Sequence, residues 1–148
     1  MDAPRQKIMR TIGENGCYLL CLVHIAEGIM ARQIDAVRIY ELARELSCRH
    51  ADGSRGPVIT AECYIHGVPE VLTLLCGGTW TVRHAEKDEI PGVTEREILR
   101  FEREGTSTTY SHFVVSDGAG HVAYDPLGDS LTVAVGKLVS KRLIKRVT

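Results

Sequence analysis

The hydrophobic period of this chain shifts from helical in its first half to strand-like in its last third. From Cys17 to Ile25 only His24 is strongly polar. A helix there has almost no wet side and belongs in the interior. Upstream, residues 1–10 read as a polar arm, and Thr11-Ile-Gly-Glu-Asn-Gly reads as a turn. Asn15 fits the N-cap of the buried helix, with Gly16 and Cys17 in its first turn. Gly28 loosens its end. Over Ala31–Leu46, Ile34, Val37, Ala43 and Leu46 recur at helical spacing against Arg32, Asp35, Arg38, Glu41 and Glu45, the pattern of a surface helix. Ser47–Pro57 reads as a loop, and Val58–Ile65 suits either an extended or a helical segment. Val68–Leu75 predicts a short helix closed by Gly77-Gly78, and Thr79–Arg83 has strand composition. Thr94 with Glu97 fits a capping box, with Ile98 and Phe101 carrying a helix to Glu104.

From Tyr110 onward the period is two. Tyr110–Ser116 and His121–Asp125 predict strands joined by Asp117-Gly-Ala-Gly, a strong hairpin signal. Leu131–Val135 and Leu138–Val147 predict two more, turning at Gly136-Lys137. Helices come first and antiparallel strands last, which makes the fold class α+β, in a single domain over residues 1–148.

The turn implies a register. With Gly118 and Ala119 at its centre, Ser116 faces His121, Val114 faces Ala123, and His112 faces Asp125. Directly opposed Cβ atoms lie about 4.5–5.5 Å apart, within reach of an imidazole–carboxylate hydrogen bond. Phe113, Val115, Val122 and Tyr124 share the other face, all bulky and apolar, so that face is assigned to the core. An odd-residue bulge at Gly118 or Gly120 breaks the pairing.

Composition narrows the chemistry. The net charge is −1, with no basic stripe that a nucleic-acid backbone requires. Lys137, Lys141, Arg142, Lys145 and Arg146 are assigned to the solvated side of a strand. No apolar run approaches the roughly 20 residues of a membrane span, and Met1-Asp-Ala-Pro-Arg-Gln-Lys is too polar for a signal peptide. The five cysteines are scattered among apolar residues, which suits reduced thiols and a cytoplasmic location. Cys48, Cys63 and Cys76 read as small buried hydrophobes.

Cys17 stands apart. A thiol in the first turn of a helix meets the positive end of the macrodipole, which favours thiolate. An imidazole beside it extends that effect, and a carboxylate behind the imidazole holds the useful tautomer. His112 and Asp125 supply such a pair if the buried helix packs across the sheet. The plain alternatives are a packed free thiol at position 17 and a structural cross-strand pair at 112 and 125. His24 lies about two turns further along the helix, too far to serve as the base. His121 is assigned to solvent, and His50, His66 and His84 have no partnered geometry.

The order of a cysteine on a helix, a histidine on a strand and an aspartate on the next strand resembles the papain-like superfamily. The ending Ser111-His-Phe-Val-Val … Val122-Ala-Tyr-Asp-Pro is similar to the double-glycine-leader, bacteriocin-processing peptidases. The opening Gly16-Cys-Tyr-Leu-Leu-Cys-Leu is similar to small papain-like proteins of bacteria and their phages. The resemblance covers both ends of the chain but not Ala31–Glu104. It implies a papain-like fold with Cys17 as nucleophile, His112 as base and Asp125 as the orienting acid. That family places a glutamine about six residues before the cysteine as an oxyanion donor. Thr11 stands there in this chain, Gln6 is too far upstream, and Asn15 with the Cys17 N–H is the substitute. Losing one such donor typically costs about 100- to 1000-fold in rate.

Three functions compete. The first is a cysteine hydrolase acting on a peptide or amide substrate, with no cofactor. The second is a papain-shaped binding or regulatory domain with weak or no catalysis. The third is a zinc site built from Cys17, Cys21, Cys63 and His66, whose spacing matches no closed structural module.

Overall fold

Residues 3–148 are described by a computed structural model, and the first of them are helical. The expected polar arm and turn are instead helix α1, Ala3–Asn15. Pro4 suits a first turn, where its missing N–H costs nothing. Arg5, Ile8, Thr11 and Ile12 recur at helical spacing as its least exposed positions, with Ile12 buried. Arg5 also clamps Asp35 at 2.9 Å. A short apolar stripe diluted by Lys7, Arg10 and Glu14 is hard to see in the sequence.

Helix α2 runs from Cys17 to Met30 and buries Leu19, Cys21, Leu22, Val23, Ile25 and Ala26. It does not stop at Gly28. It ends at Ala31, a left-handed residue with φ 55° whose N–H bonds to the Glu27 carbonyl. The next helix, α3, is shorter than its pattern suggested, Ala36–Arg44. Asp35 sets its start by accepting from the Val37 N–H at 3.0 Å, and Glu27 accepts from the Ile34 N–H at 2.9 Å in the linker.

The expected loop at Ser47–Pro57 is a small antiparallel hairpin, β1 (Ser47–Arg49) and β2 (Arg55–Pro57), turned by Asp52, which accepts from the Ser54 N–H. Residues 58–67 then form a loop with one bridge, Ile59 to Ile65. Tyr40 Oη and Arg44 Nη1 on α3 donate to the Ala61 and Ile59 carbonyls at 2.8 and 2.9 Å and pin that loop. Helix α4, Val68–Cys76, follows with Pro69 in its first turn, and Gly77 closes it at φ 71°, which favours glycine. These elements form one compact unit ending at Trp80; Thr81–Val147 form a second.

The second unit is a five-stranded sheet in the order β3-β7-β4-β5-β6. Its strands are β3 (Trp80–Glu86), β4 (Arg96–Glu104), β5 (Thr109–Ser116), β6 (Val122–Tyr124) and β7 (Lys137–Arg146). β4 pairs antiparallel with β5 and β7, and β5 with β6. Two expectations are overturned. The Thr94/Glu97 capping box and its helix do not form: Arg96–Glu104 is the middle strand, paired on both edges. The expected strand Leu131–Val135 is instead a short helix, α5, capped by Ser130 Oγ on the Val133 N–H. In both places partners distant along the chain or a strong cap outweigh local propensity.

Both faces of the sheet centre are buried. Leu99, Val114 and Leu143 fill one, and Ile98, Val115 and Ile144 fill the other. The two-sided burial corrects two further assignments. Lys141 and Arg142 lie inside, while Lys137, Lys145 and Arg146 are in solvent. Val122 is exposed and Phe113 half-buried, so the face expected to be core is only partly so. β6 is short and sits at the sheet edge, where it has a neighbour on one side only.

Candidate active site

The residues singled out from the sequence fall in both units. Cys17 and Asn15 belong to the helical unit, His112 and Asp125 to the sheet.

Cys17 is the first residue of α2. The junction before it is tight: the Gly16 N–H bonds to the Ile12 carbonyl at 2.7 Å. A Cβ on Gly16 would meet that oxygen at 2.6 Å, so only glycine lets α1 and α2 abut here. Gly16 also occupies the N-cap position without a side-chain bond, so Asn15 is not the cap. It is the last residue of α1 and is exposed. Of the five cysteines, none of them in a disulfide, Cys17 is half-exposed and the other four are buried.

Cys63 lies within electrostatic range of Cys17. Burial first, and then the Cys17 sulfur, push its thiol up to about 12. Its backbone is left-handed at φ 71°, an unusual state for a residue with a side chain. Its N–H bonds to the Thr60 carbonyl at 3.0 Å, in the turn closed by the Thr60 N–H on the Tyr64 carbonyl. Nothing in its sequence context marked it out from the other buried cysteines.

In the sheet unit, His112 Nε2 donates to Asp125 Oδ1 at 2.6 Å. Both side chains are 5% exposed. The structure therefore brings these two residues together, although by a different register from the expected one. The Asp117 N–H bonds to the His121 carbonyl and Ser116 pairs with Val122, with Gly118 and Gly120 both at positive φ. That turn is one residue out of step with the expected hairpin. Carried on unchanged, it sets Asp125 across from Phe113, on the face opposite His112. The ladder then slips by one residue: Val115 pairs with Tyr124, leaving Ala123 as the extra residue. Continued one residue past β6, the slipped register carries Asp125 to the face of His112, which it reaches diagonally.

Asp125 is held from three directions. Besides His112, its Oδ1 accepts from the Leu127 N–H at 2.9 Å and its Oδ2 from the Ser130 N–H at 3.3 Å. Burial pushes its carboxyl up, but the bonds from His112, Leu127 and Ser130 outweigh burial and hold it below the usual aspartate value. Asp125 stays ionised and leaves the proton on His112 Nε2. Leu127 and Ser130 were not anticipated as partners, though Asp-Pro before a serine is a recognisable turn signal.

A second polar chain lies on the same face of the sheet. Ser116 Oγ donates to Glu97 Oε1 at 2.5 Å, and Lys141 Nζ donates to Glu97 Oε2 at 2.7 Å and to the Glu89 carbonyl at 3.0 Å. Glu97 and Lys141 are buried. Glu97 is thus engaged with Lys141 and Ser116 rather than with Thr94.

The remaining histidines differ in part from expectation. His121 is exposed beside the turn, 3.1 Å from Asp117. His50 and His66 do have partners: their rings stack at 3.8 Å, with Tyr64 edge-on to His66 at 4.8 Å. Among the described residues no three His, Cys, Asp or Glu side chains are grouped to hold a metal ion, so Cys17, Cys21, Cys63 and His66 do not form the zinc set. Nor is any helix among them long and apolar enough to cross a membrane.

Residues 2–146 match the model of a family described as "Protein of unknown function, DUF261". No curated protein and no solved structure matches the chain.

Proposed function

The chain belongs to the DUF261 family, whose description names no activity, and we propose from its own residues that it is a cysteine hydrolase of peptide or amide bonds. The observation that carries this reading is the buried 2.6 Å bond between His112 and Asp125. A carboxylate kept ionised behind an imidazole is the device that orients a catalytic base and stabilises its charged form. The papain-like resemblance supports the same roles.

Cys17 is the nucleophile, half-exposed where a helix start favours negative charge. With Nε2 engaged by Asp125, His112 works through Nδ1. The reading requires His112 to take the Cys17 proton as the sulfur attacks the substrate carbonyl carbon. The carbon–nitrogen bond then breaks, and the same proton leaves on the departing amine. Water attacks the acyl thioester, giving up a proton through His112, and the carboxylic acid departs as Cys17 is restored. The oxyanion is held by the Cys17 N–H and Asn15, which is exposed and has no capping bond to break. None of the five cysteines, all among the described residues, is in a disulfide, which suits a reducing, cytoplasm-like setting.

One observation favours the second reading, a papain-shaped binding domain. Thr11, where the resembling family carries its oxyanion glutamine, turns its hydroxyl back onto the Lys7 carbonyl at 3.1 Å. The two readings separate on a fluorogenic peptide and amide library. Hydrolysis that falls by about 100-fold or more in both Cys17→Ala and His112→Ala supports the enzyme. No turnover in the unaltered protein supports the binding domain, and turnover that survives Cys17→Ala removes Cys17 as the nucleophile.

A further inference from the structure

We infer that Lys141, Glu97 and Ser116 are positioning residues for the His112–Asp125 pair, holding the register step that puts Asp125 on the correct face of the sheet. This rests on the hydrolase reading only for its catalytic meaning; the positioning itself is a property of the sheet.

The ladder between β5 and β6 changes register between Val115 and Ser116. Ser116 is therefore the last residue on the turn side of the step. Its hydroxyl is anchored twice: it donates to Glu97 Oε1 at 2.5 Å and accepts from the Gly118 N–H at 3.0 Å. The first bond ties Ser116 to the neighbouring strand. The second ties it to the turn, whose out-of-step pairing makes the step necessary.

Glu97 is in turn fixed by Lys141 Nζ at 2.7 Å, and Lys141 by the Glu89 carbonyl at 3.0 Å. Lys141 is across from Leu99 on β7, and Leu99 is across from Val114 on β5, so the polar chain and His112 share one face. His112 and Ser116 flank Val114, and both Leu99 and Val114 are wholly buried. A close-packed centre transmits a shift at Ser116 to His112 rather than absorbing it.

A buried ion pair is weak evidence for stability, because desolvation offsets most of the attraction. Its value as a constraint on register is better founded. A turn with two glycines at positive φ accommodates more than one pairing, so something outside the turn has to select one.

The test reads the pair directly and does not depend on turnover. The His112 proton on Nε2, held by a 2.6 Å bond to a carboxylate, is expected as a slowly exchanging signal far downfield in the proton NMR spectrum. In Ser116→Ala and Glu97→Gln that signal is expected to vanish or to exchange at least about tenfold faster, in protein that still melts cooperatively. Ser116→Thr, which keeps the hydroxyl, should restore it. Ile144→Val, which loosens the opposite face of the sheet, should leave it unchanged. A signal unaltered in position and exchange in folded Ser116→Ala, or equally lost in Ile144→Val, overturns the positioning role. A peptide hydrolysis assay reports separately on the hydrolase reading: a signal lost in Ser116→Ala and Glu97→Gln, with no hydrolysis even by the unaltered protein, retains the positioning and removes the enzyme.

Discussion

His112 and Asp125 meet at 2.6 Å across a ladder that slips by one residue between the turn and the aspartate. Two departures from a regular hairpin, an out-of-step turn and a single extra residue at Ala123, cancel in their effect on facing. The pair is thus a product of irregular backbone. Removing one member leaves the other buried without its partner, and Leu127 and Ser130 lose an acceptor as well. Asp125→Ala is expected to lower stability by about 3–5 kcal/mol, measured by urea unfolding. A loss under about 1 kcal/mol would mean that the pair is far more solvated than its burial indicates.

The same carboxylate sets an acid limit. Asp125 titrates below its ordinary value in the folded chain, so its unfolded form binds protons more readily. Its contribution is complete above the unfolded value near about pH 4 and is lost as pH falls through the lower folded one. Stability measured against pH should therefore decline on the acid side, and Asp125→Asn should flatten that decline. An unchanged slope in the variant contradicts the assignment.

Gly16 has a steric role rather than a conformational one. Its φ of −100° is open to any residue, but an added Cβ would sit 2.6 Å from the Ile12 carbonyl oxygen. Gly16→Ala is expected to destabilise the protein by about 1–3 kcal/mol and to displace the start of α2. Thermal melting together with the alkylation rate of Cys17 checks both effects. A neutral Gly16→Ala would show that the junction yields easily.

The cysteines should separate by reactivity. Cys17 is half-exposed, Cys63 is pushed up to about 12, and burial also raises the Cys48 thiol. Brief iodoacetamide treatment of the native protein, followed by peptide mapping, should find Cys17 alkylated first and Cys63 unmodified. Early labelling of Cys63 would show that the loop carrying it opens readily.

Much of the site could be read in the chain because it rests on strong local signals. Asp117-Gly-Ala-Gly marks a hairpin, β5 alternates cleanly enough to place His112, and the apolar run after Gly16 fixes the start of α2. The register could not be read, since Gly118 and Gly120 permit more than one turn and the choice lies partly with Glu97 on another strand. β4 was masked for a similar reason: Glu97, Ile98 and Phe101 fit a helical period, and only pairing with β5 and β7 makes the segment a strand. In α5 the order is reversed, because one serine cap at 130 converts a β-branched run into a helix. Polar residues paired within the sheet, Lys141 above all, look like surface until their partners are known.

The proposed hydrolysis requires His112 to activate Cys17. The rate of Cys17 alkylation by iodoacetamide at neutral pH, compared between the unaltered protein and folded His112→Ala, tests it most directly. A rate lower by about tenfold or more in the variant is the expected result. Equal rates, with Cys17 equally exposed in both, would contradict it.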